Sequence, residues 1–508
     1  MKRYVMMVAG ALMIAQLGGH QATAADQTNT LELIQQLQKR IDELEQKVKT
    51  LQQTQPPPVG PTNETKPSPR LDELDAKVKT LEHQHELDQE AAEAKAKEAP
   101  RVSVGEQGFS LASANGDFAL RLGGVLQVDS RTFFNDGGIV GNDGFLLRRA
   151  RPCLQGTVFR DFDFLFVPDF GTANNGGNGG TAPTPQIFDA YVNYRYSPEL
   201  QLEGGKFKPP VGLEQLVADR DILFNERSLA TDLVPTRDIG VQLHGDLFGG
   251  IASYAAGIFN GVGDARNSSL SAFQDDKSFD GRIFFQPFKT LSVPALAGFG
   301  FGLGSSYQSM QASSTTGLPN NNGYLTVGQQ QFFIYTNGVV ASGDQMRLSP
   351  QGYYYYGPFG FLGEYAISEQ QVSRPGIAPE RLDNKAWEVS GSWVLTGEDA
   401  AYAGGVIPRH PFAPRSGQWG ALQLVGRYSQ LDIDPSAFPL FADPSASARS
   451  AREWSVGLSW YLNRNIRVNA SFSRTKFSGG GLSTSATAPA SVTRQDENVF
   501  FTRLQLAF

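Results

Sequence analysis

Three arginines stand close together in GFLLRRARPCLQG (144–156), where Phe145, Leu146, Leu147 and Leu154 otherwise spell an apolar strand. A guanidinium stays charged at every physiological pH, and its planar fork of donors matches an oxyanion. Arg148, Arg149 and Arg151 are therefore candidates for anion binding. Lys206 and Lys208 follow in GGKFKPPVGLE, two residues apart and expected on one face, leading into the long segment 209–239. That segment mixes Glu214, Asp219, Asp221 and Glu226 with Arg220 and Arg227. Opposed charges of this kind set up a transverse field that orients polar solutes. The alternative for Arg149 is a wall arginine paired with Asp129, Asp161 or Asp163. Covalent chemistry has little footing. Cys153 is the only cysteine and His244 and His410 are the only histidines beyond residue 100, with no nucleophile–base signature beside them. No enzyme activity, metal or cofactor is expected.

The elements that carry these residues alternate. In EWSVGLSWYLN (453–463), Trp454, Val456, Leu458 and Trp460 oppose Glu453, Ser455, Gly457 and Ser459. In DFALRLGGVLQVDSR (117–131), Leu120, Leu122, Leu126 and Val128 oppose Arg121, Gln127 and Asp129. The last strand, FFTRLQLAF, sets Phe500, Leu504, Leu506 and Phe508 against Arg503 and Gln505. Period two gives each strand one apolar and one polar face. Applied to the arginine cluster, it turns Arg149 and Arg151 to the polar side and Arg148 to the apolar side, unless a bulge re-aims it.

The alternation runs for some 400 residues without a domain boundary, and its apolar face is aromatic-rich near strand ends. Charged residues make up 19% of the chain and mean hydropathy is −0.29, a value compatible with a membrane barrel because its two faces cancel. The fold class expected is an all-β transmembrane barrel of about sixteen antiparallel strands over 101–508, with an N-terminal α-helical coiled-coil extension. Glycine-, asparagine- and serine-rich stretches at 171–185, 312–323 and 478–491 suit outer loops, and tight links such as LNRN (462–465) suit the periplasmic side. A terminal strand closing on Phe resembles the signal read by the barrel assembly machinery.

The first hundred residues read differently. Lys2, Arg3, an apolar run from Val5 to Leu17 and Ala22-Thr23-Ala24 form a signal peptide over 1–24. Residues 25–100 then carry two copies of one heptad segment, IDELEQKVKTL at 41–51 and LDELDAKVKTL at 71–81, around a proline-rich joint at 55–69. A periplasmic, trimerising stalk is expected, with contact to the cell wall as a further role. The AAEAKAKEA run should continue the helix toward Pro100. The formal net charge is −7; the leader holds two bases and 26–100 holds 15 acids against 10 bases, which leaves −4 for 101–508. Anion binding must therefore rest on local placement, and nucleic acid is not an expected partner.

The body resembles the phosphate-selective porin family, the porins O and P of Gram-negative outer membranes. The resemblance is carried in order by GDFALRLGGVLQVD (116–129), FLLRRARPCLQGTVFRDFDF (145–164), FDAYVNYRYSPELQLEGGKFKPPVGLE (188–214), ERSLATDLVPTRDIGVQLHG (226–245), WVLTGE (393–398), GALQLVGRYSQLD (420–432) and SVGLSWYLNRNIRV (455–468). It implies a sixteen-stranded barrel, a homotrimer in outer-membrane lipid, and inward loops forming an eyelet that passes inorganic anions or small hydrophilic solutes. The family's paired arginines match Arg148 and Arg149, which makes a bulge at Arg148 a specific expectation. Its acid matches Asp189, and its basic residue matches Lys206. Val125, Gln215, Ala218 and Asp219 depart from the pattern, with Arg220 as partial compensation. The loop region 309–330, arginine-rich in selective members, has no arginine. Pore or anion-binding roles are accordingly expected for Arg121, Arg148, Arg149, Arg151, Asp189, Lys206, Lys208 and Arg220, in a channel with anion preference or, alternatively, a general porin or an envelope tether.

Overall fold

The computed structural model describes residues 69–106, 108–134, 141, 143–171, 185–270, 275–314, 317–319, 323–480 and 494–508. The expected signal peptide and the first heptad copy lie outside the described residues. The chain divides into two units, Met1–Glu90 and Ala91–Phe508. The second heptad copy is helical, within α1 (Pro69–Glu98). Proline fits a first turn because its missing N–H would be unsatisfied there anyway. Lys77 reaches Glu73 one turn back at 3.0 Å, and Leu74, Val78 and Leu81 are exposed. The helix continues through the Ala/Glu/Lys run as its composition dictates.

The body opens with a hairpin, β1 (Arg101–Gly105) and β2 (Gly108–Ala112). Nine strands come next: β3 (Ala119–Phe134), β4 (Gly144–Val158), β5 (Phe162–Asp169), β6 (Gln186–Ser197), β7 (Leu200–Phe207), β8 (Asp238–Leu247), β9 (Ala252–Phe259), β10 (Ser278–Phe285) and β11 (Phe299–Ser314). A separate small hairpin, β12 (Gly323–Leu325) and β13 (Gln331–Ile334), interrupts them. Seven more complete the set: β14 (Val340–Tyr356), β15 (Phe359–Arg374), β16 (Ile377–Val394), β17 (Ala421–Asp432), β18 (Ala448–Tyr461), β19 (Ile466–Gly479) and β20 (Glu497–Ala507).

Each of these sixteen strands pairs antiparallel with its neighbour, and β20 returns to β3, from Asn498 opposite Phe134 to Ala507 opposite Val125. The sheet is thus closed, and its staves need no edge protection. Phe508 sits at the seam, exchanging backbone hydrogen bonds with Gly124 at 3.0 and 3.1 Å. A Cβ on Gly123 would meet the Phe508 carbonyl oxygen at 2.4 Å, so the close approach requires glycine. Where β20 stops, β2 continues the pairing along β3 from Phe109 opposite Leu122.

Burial is inverted relative to a water-soluble protein. On β18, Glu453 is 0% and Ser455 3% exposed, while Trp454 and Val456 are 40% and 44% exposed. On β3, Gln127 and Asp129 are buried and Leu122, Leu126 and Val128 exposed. An apolar outer face with a polar inner one is the pattern of a membrane-embedded barrel.

The interior is not an empty tube. The β12–β13 hairpin folds inward and buries Tyr324, Phe332 and Phe333 against Leu229, Leu233 and Phe441. This apolar core rests on inward residues of β14 to β18, among them Ala341, Ala366, Ala386, Leu431 and Ala451. Of the region 309–330, Leu318 and Tyr324 belong to this filling, while Gly323, Leu325, Thr326 and Gln329 border a lumenal cavity without an arginine among them. At the end marked by Phe508 most links are short, including 462–465 as expected, but 395–420 is long. Ala400 and Val406 of that link pack on Val394, Ala421 and Tyr461. Its Tyr402 stacks on Tyr353 at 4.8 Å and donates to the Leu213 carbonyl at 2.7 Å.

Candidate functional site

Strict alternation would turn Arg148 outward. Instead, Gln127 pairs with Arg149 and Val128 with Leu147, so Arg148 is the extra residue of a β-bulge. The bulge brings Arg148 in beside Arg149 and Arg151, and all three are buried. The bulge expected from the paired-arginine resemblance is present, and the simple-alternation placement of Arg148 is corrected by it.

What meets these arginines is the connection 208–237, which dips into the barrel through a short helix, α2 (Leu213–Leu216), and a 3-10 turn, Leu229–Leu233. Its backbone is tied to opposite walls. Glu364 of β15 accepts from the Leu213 and Glu214 amides at 2.9 and 3.0 Å. Gln505 of β20 donates to the Arg220 carbonyl at 3.0 Å, and Arg427 of β17 donates to the Glu226 carbonyl at 3.0 Å.

Two carboxylates of this loop organise the guanidiniums. Glu226 accepts a two-pronged pair from Arg148 at 2.6 and 2.8 Å, a third bond from Arg131 at 3.1 Å, and lies 3.8 Å from Arg503. Asp219 pairs with Arg151, with Arg227 at 2.5 Å, and with Arg149 and Arg237 at 3.6 and 3.7 Å. Burial pushes both carboxyls up, but the surrounding guanidiniums more than reverse this. Asp219 ends well below the ordinary carboxylate range, through Arg227, Arg149, Arg151 and Arg237; Glu226 is lowered chiefly through Arg148 and Arg131. Wall carboxylates complete the set: Asp169 on Arg151 at 2.7 Å, Asp189 on Arg237 at 2.9 Å and Asp129 on Arg503 at 2.6 Å. Seven guanidiniums (Arg131, Arg148, Arg149, Arg151, Arg227, Arg237, Arg503) thus face five carboxylates (Asp129, Asp169, Asp189, Asp219, Glu226), a local excess of two positive charges.

One aromatic ring holds the centre. The guanidinium carbons of Arg151 and Arg237 lie 3.6 and 3.5 Å from the Phe188 ring centroid. Guanidiniums stack well on aromatic faces, and this contact adds to the grip of Asp219 on both. Two chambers adjoin this trio. An outer one of about 140 Å³ is bordered by Arg148, Arg149, Glu226, Arg227 and Asp232. An inner one of about 430 Å³ is bordered by Arg121, Asp189, Glu203, Lys208 and Arg220. Both chambers share Arg151, Asp219 and Arg237, which form the partition between them. Nε of Arg149 and Nη2 of Arg151 are buried there without a hydrogen bond to any described residue.

Of the residues singled out from sequence, Arg148, Arg149, Arg151 and Asp189 meet in this cluster, and Arg121 and Arg220 border the inner chamber. The two lysines differ from expectation. β7 ends at Phe207, between them, and the two reach different partners. Lys206 is buried, donates to the Ser268 carbonyl at 2.6 Å and borders neither chamber. Lys208 donates to the Leu216 and Val217 carbonyls at 3.4 and 2.7 Å, and burial, then Arg227 and Arg237, drop its amine well below the usual range. The alternative partners for Arg149 are corrected too: Asp129 pairs with Arg503, and Asp163 with Arg195 at 2.8 Å. Arg131, Asp169, Phe188 and Arg237 were not singled out. Asp129, Arg131 and Arg503 do sit at inward positions of β3 and β20, which is the signal that the alternation held.

The family model described as phosphate-selective porin O and P matches residues 120–508. Porin O of Pseudomonas aeruginosa is 24% identical over 391 residues, covering 73% of this chain and 85% of that protein. Among solved structures, the outer membrane channel DcaP of Acinetobacter baumannii is 11% identical, covers 77% of this chain and 97% of that one, and has a TM-score of 0.47. An anion-selective porin from Comamonas acidovorans is likewise 11% identical, with 77% and 100% covered and a TM-score of 0.47.

Proposed function

This chain belongs to the phosphate-selective porin O and P family, an outer-membrane channel of Gram-negative bacteria, and from that premise we propose that it passes small hydrophilic solutes with a preference for anions. One observation carries the preference. The two chambers meet at Arg151, Asp219 and Arg237, inside a cluster with two more guanidiniums than carboxylates. A solute crossing the partition must pass this field, which favours a negative charge whatever the net charge of the body. Phosphate and related oxyanions are proposed cargo through the family relationship to Porin O. The guanidiniums of Arg151 and Arg237, which border both chambers, and of the half-exposed Arg220 supply the chemistry for them.

A second reading has its own support. Arg148 and Arg151 are each bonded to carboxylates and Arg149 lies beside one, so the cluster can act as a wall whose field merely orients solutes, as in a general porin. The reversal potential in a potassium chloride gradient across a planar bilayer decides between them. Chloride permeating better than potassium, with current reduced by millimolar phosphate, supports the anion-preferring channel. Equal permeation and no block by phosphate leave the general porin. We further infer that the chain works as a homotrimer and that α1 forms part of a periplasmic stalk, because Leu74, Val78 and Leu81 form an exposed stripe that a partner helix could cover.

A further inference from the structure

The inner chamber is only half built for an inorganic anion. Strands facing a water-filled lumen should present polar groups inward, yet four inward positions around this chamber are apolar: Val125, Leu165, Val167 and Phe207. The register places them among polar neighbours on the same face: Val125 lies opposite Arg151, Leu165 opposite Gln155 and Tyr191, and Val167 opposite Asp189. Leu216 of the inward loop and the Phe508 ring extend the same apolar wall.

The rest of the lining is cationic. Arg121, Arg151, Arg220 and Arg237 stand against Asp189, Glu203 and Asp219, with the Lys208 amine bonded to loop carbonyls. Asp189 and Asp219 are held by Arg237 and Arg151. Arg220 is different. Its side chain is 45% exposed, its nearest carboxylate, Asp221, is 3.7 Å away, and its guanidinium makes no hydrogen bond among the described residues. The chamber thus offers, within one lining, a cation with open donors and apolar surface. At about 430 Å³ the space lies within the range of small-molecule sites.

We propose that this chamber is a binding station for organic monoanions with an apolar body, of which an aromatic carboxylate is the simplest representative, the carboxylate meeting Arg220 and the body lying on Val125, Leu165 and Leu216. The assignment rests on the anion-preferring reading above and names its substrate class. A single negative charge suits the chamber because four guanidiniums face three acids, an excess of one, while the Lys208 amine is taken up by the Leu216 and Val217 carbonyls. An ion with no apolar part would leave the Val125 side wetted and gain nothing from it.

The test is block of chloride current through the native channel in a planar bilayer by benzoate, acetate, phosphate and benzyl alcohol. Benzoate is expected to half-block at about one-tenth the concentration of acetate, since its ring alone can use the apolar wall. Phosphate should block more weakly than benzoate, and benzyl alcohol should not block at the same concentration. Arg220→Gln should weaken benzoate and acetate alike, whereas Val125→Asn with Leu165→Gln should bring benzoate to the level of acetate. Should the double variant fail to assemble, the native chain carries its own reporter. Cys153, the only cysteine, borders the chamber, and its reaction with an anionic thiosulfonate should slow in benzoate and not in acetate. Equal half-blocking concentrations for benzoate and acetate, or equal Cys153 reaction rates in the two, overturn the assignment. Reversal potential separates the two failures: a chloride-preferring channel that treats both carboxylates alike loses only the apolar station, and a channel without anion preference loses the premise.

Discussion

Replacing Glu226 by glutamine removes one negative charge from the middle of the lumenal cluster and keeps the shape and one acceptor oxygen of the side chain. Glu226 is bonded to Arg148 and Arg131 and lies 3.8 Å from Arg503, so the substitution changes the local count from seven against five to seven against four. The excess rises from two to three positive charges. For an ion passing roughly 7 Å away in water, one unit charge contributes about 0.6 kcal/mol, and screening at 0.1 M salt reduces this to about 0.3 kcal/mol. An anion gains what a cation loses, so the chloride-to-potassium permeability ratio should rise about threefold at 0.1 M, and by less at 1 M. Reversal potential in a tenfold potassium chloride gradient reads this directly. Because glutamine retains a hydrogen bond to Arg148, the loop should stay seated and single-channel conductance should change by less than about twofold. A ratio that stays constant or moves toward potassium would refute the placement of the permeation path beside these arginines. A ratio that rises equally at low and high salt would refute its electrostatic basis.

The same geometry sets three further outcomes. Phe188→Ala removes the ring between Arg151 and Arg237, two contacts worth about 0.5–2 kcal/mol each; open-channel noise and mean chloride conductance should both increase, and an unchanged trace would show that the ring does not hold the partition. Asp219 and Glu226 have folded-state pKa values below their unfolded ones, so their contribution to loop anchorage is fully present above the unfolded value of about 4 and is lost as pH falls through the depressed values. Ion preference from these two groups should thus be flat from pH 8 to about 4 and change only below that, as a pH series of reversal potentials would reveal. Deleting residues 25–100 should leave single-channel conductance intact while lowering the yield of cross-linked trimer; loss of conductance would contradict a separate stalk.

The barrel was legible because one periodic rule covers most of it. On β18 and β20 every second side chain faces outward, the apolar Trp454, Val456 and Leu504 among them. The site was legible only in part. Arg148 breaks the rule through a one-residue bulge that alternation cannot foresee, and only the resemblance of the paired arginines to a family pattern signalled it. Partners joined by closure were hidden for another reason. Arg503 and Asp129 are 374 residues apart and meet only because β20 returns to β3. The lysines misled because a strand that ends at Phe207 no longer sorts the residues beyond it. Local periodicity reports which face a residue takes, and it is silent on what a loop from across the barrel will bring to that face.

That inward loop and the second filling together decide where a solute can go. Tyr324, Phe332 and Phe333 fill the β14–β18 side with a packed apolar core, which leaves an ion little room to keep its hydration. Both chambers lie instead toward β3–β8, where the guanidiniums border them. Had those arginines been unpaired, seven positive charges would trap an anion and slow its exit. With Asp219 and Glu226 inserted among them, most of the charge is balanced and the arginines are fixed in place, leaving a modest excess. A passive channel needs this compromise, since an ion must be attracted strongly enough to enter and weakly enough to leave. On the proposed anion preference, the loop carboxylates would set the throughput as much as the arginines set the sign.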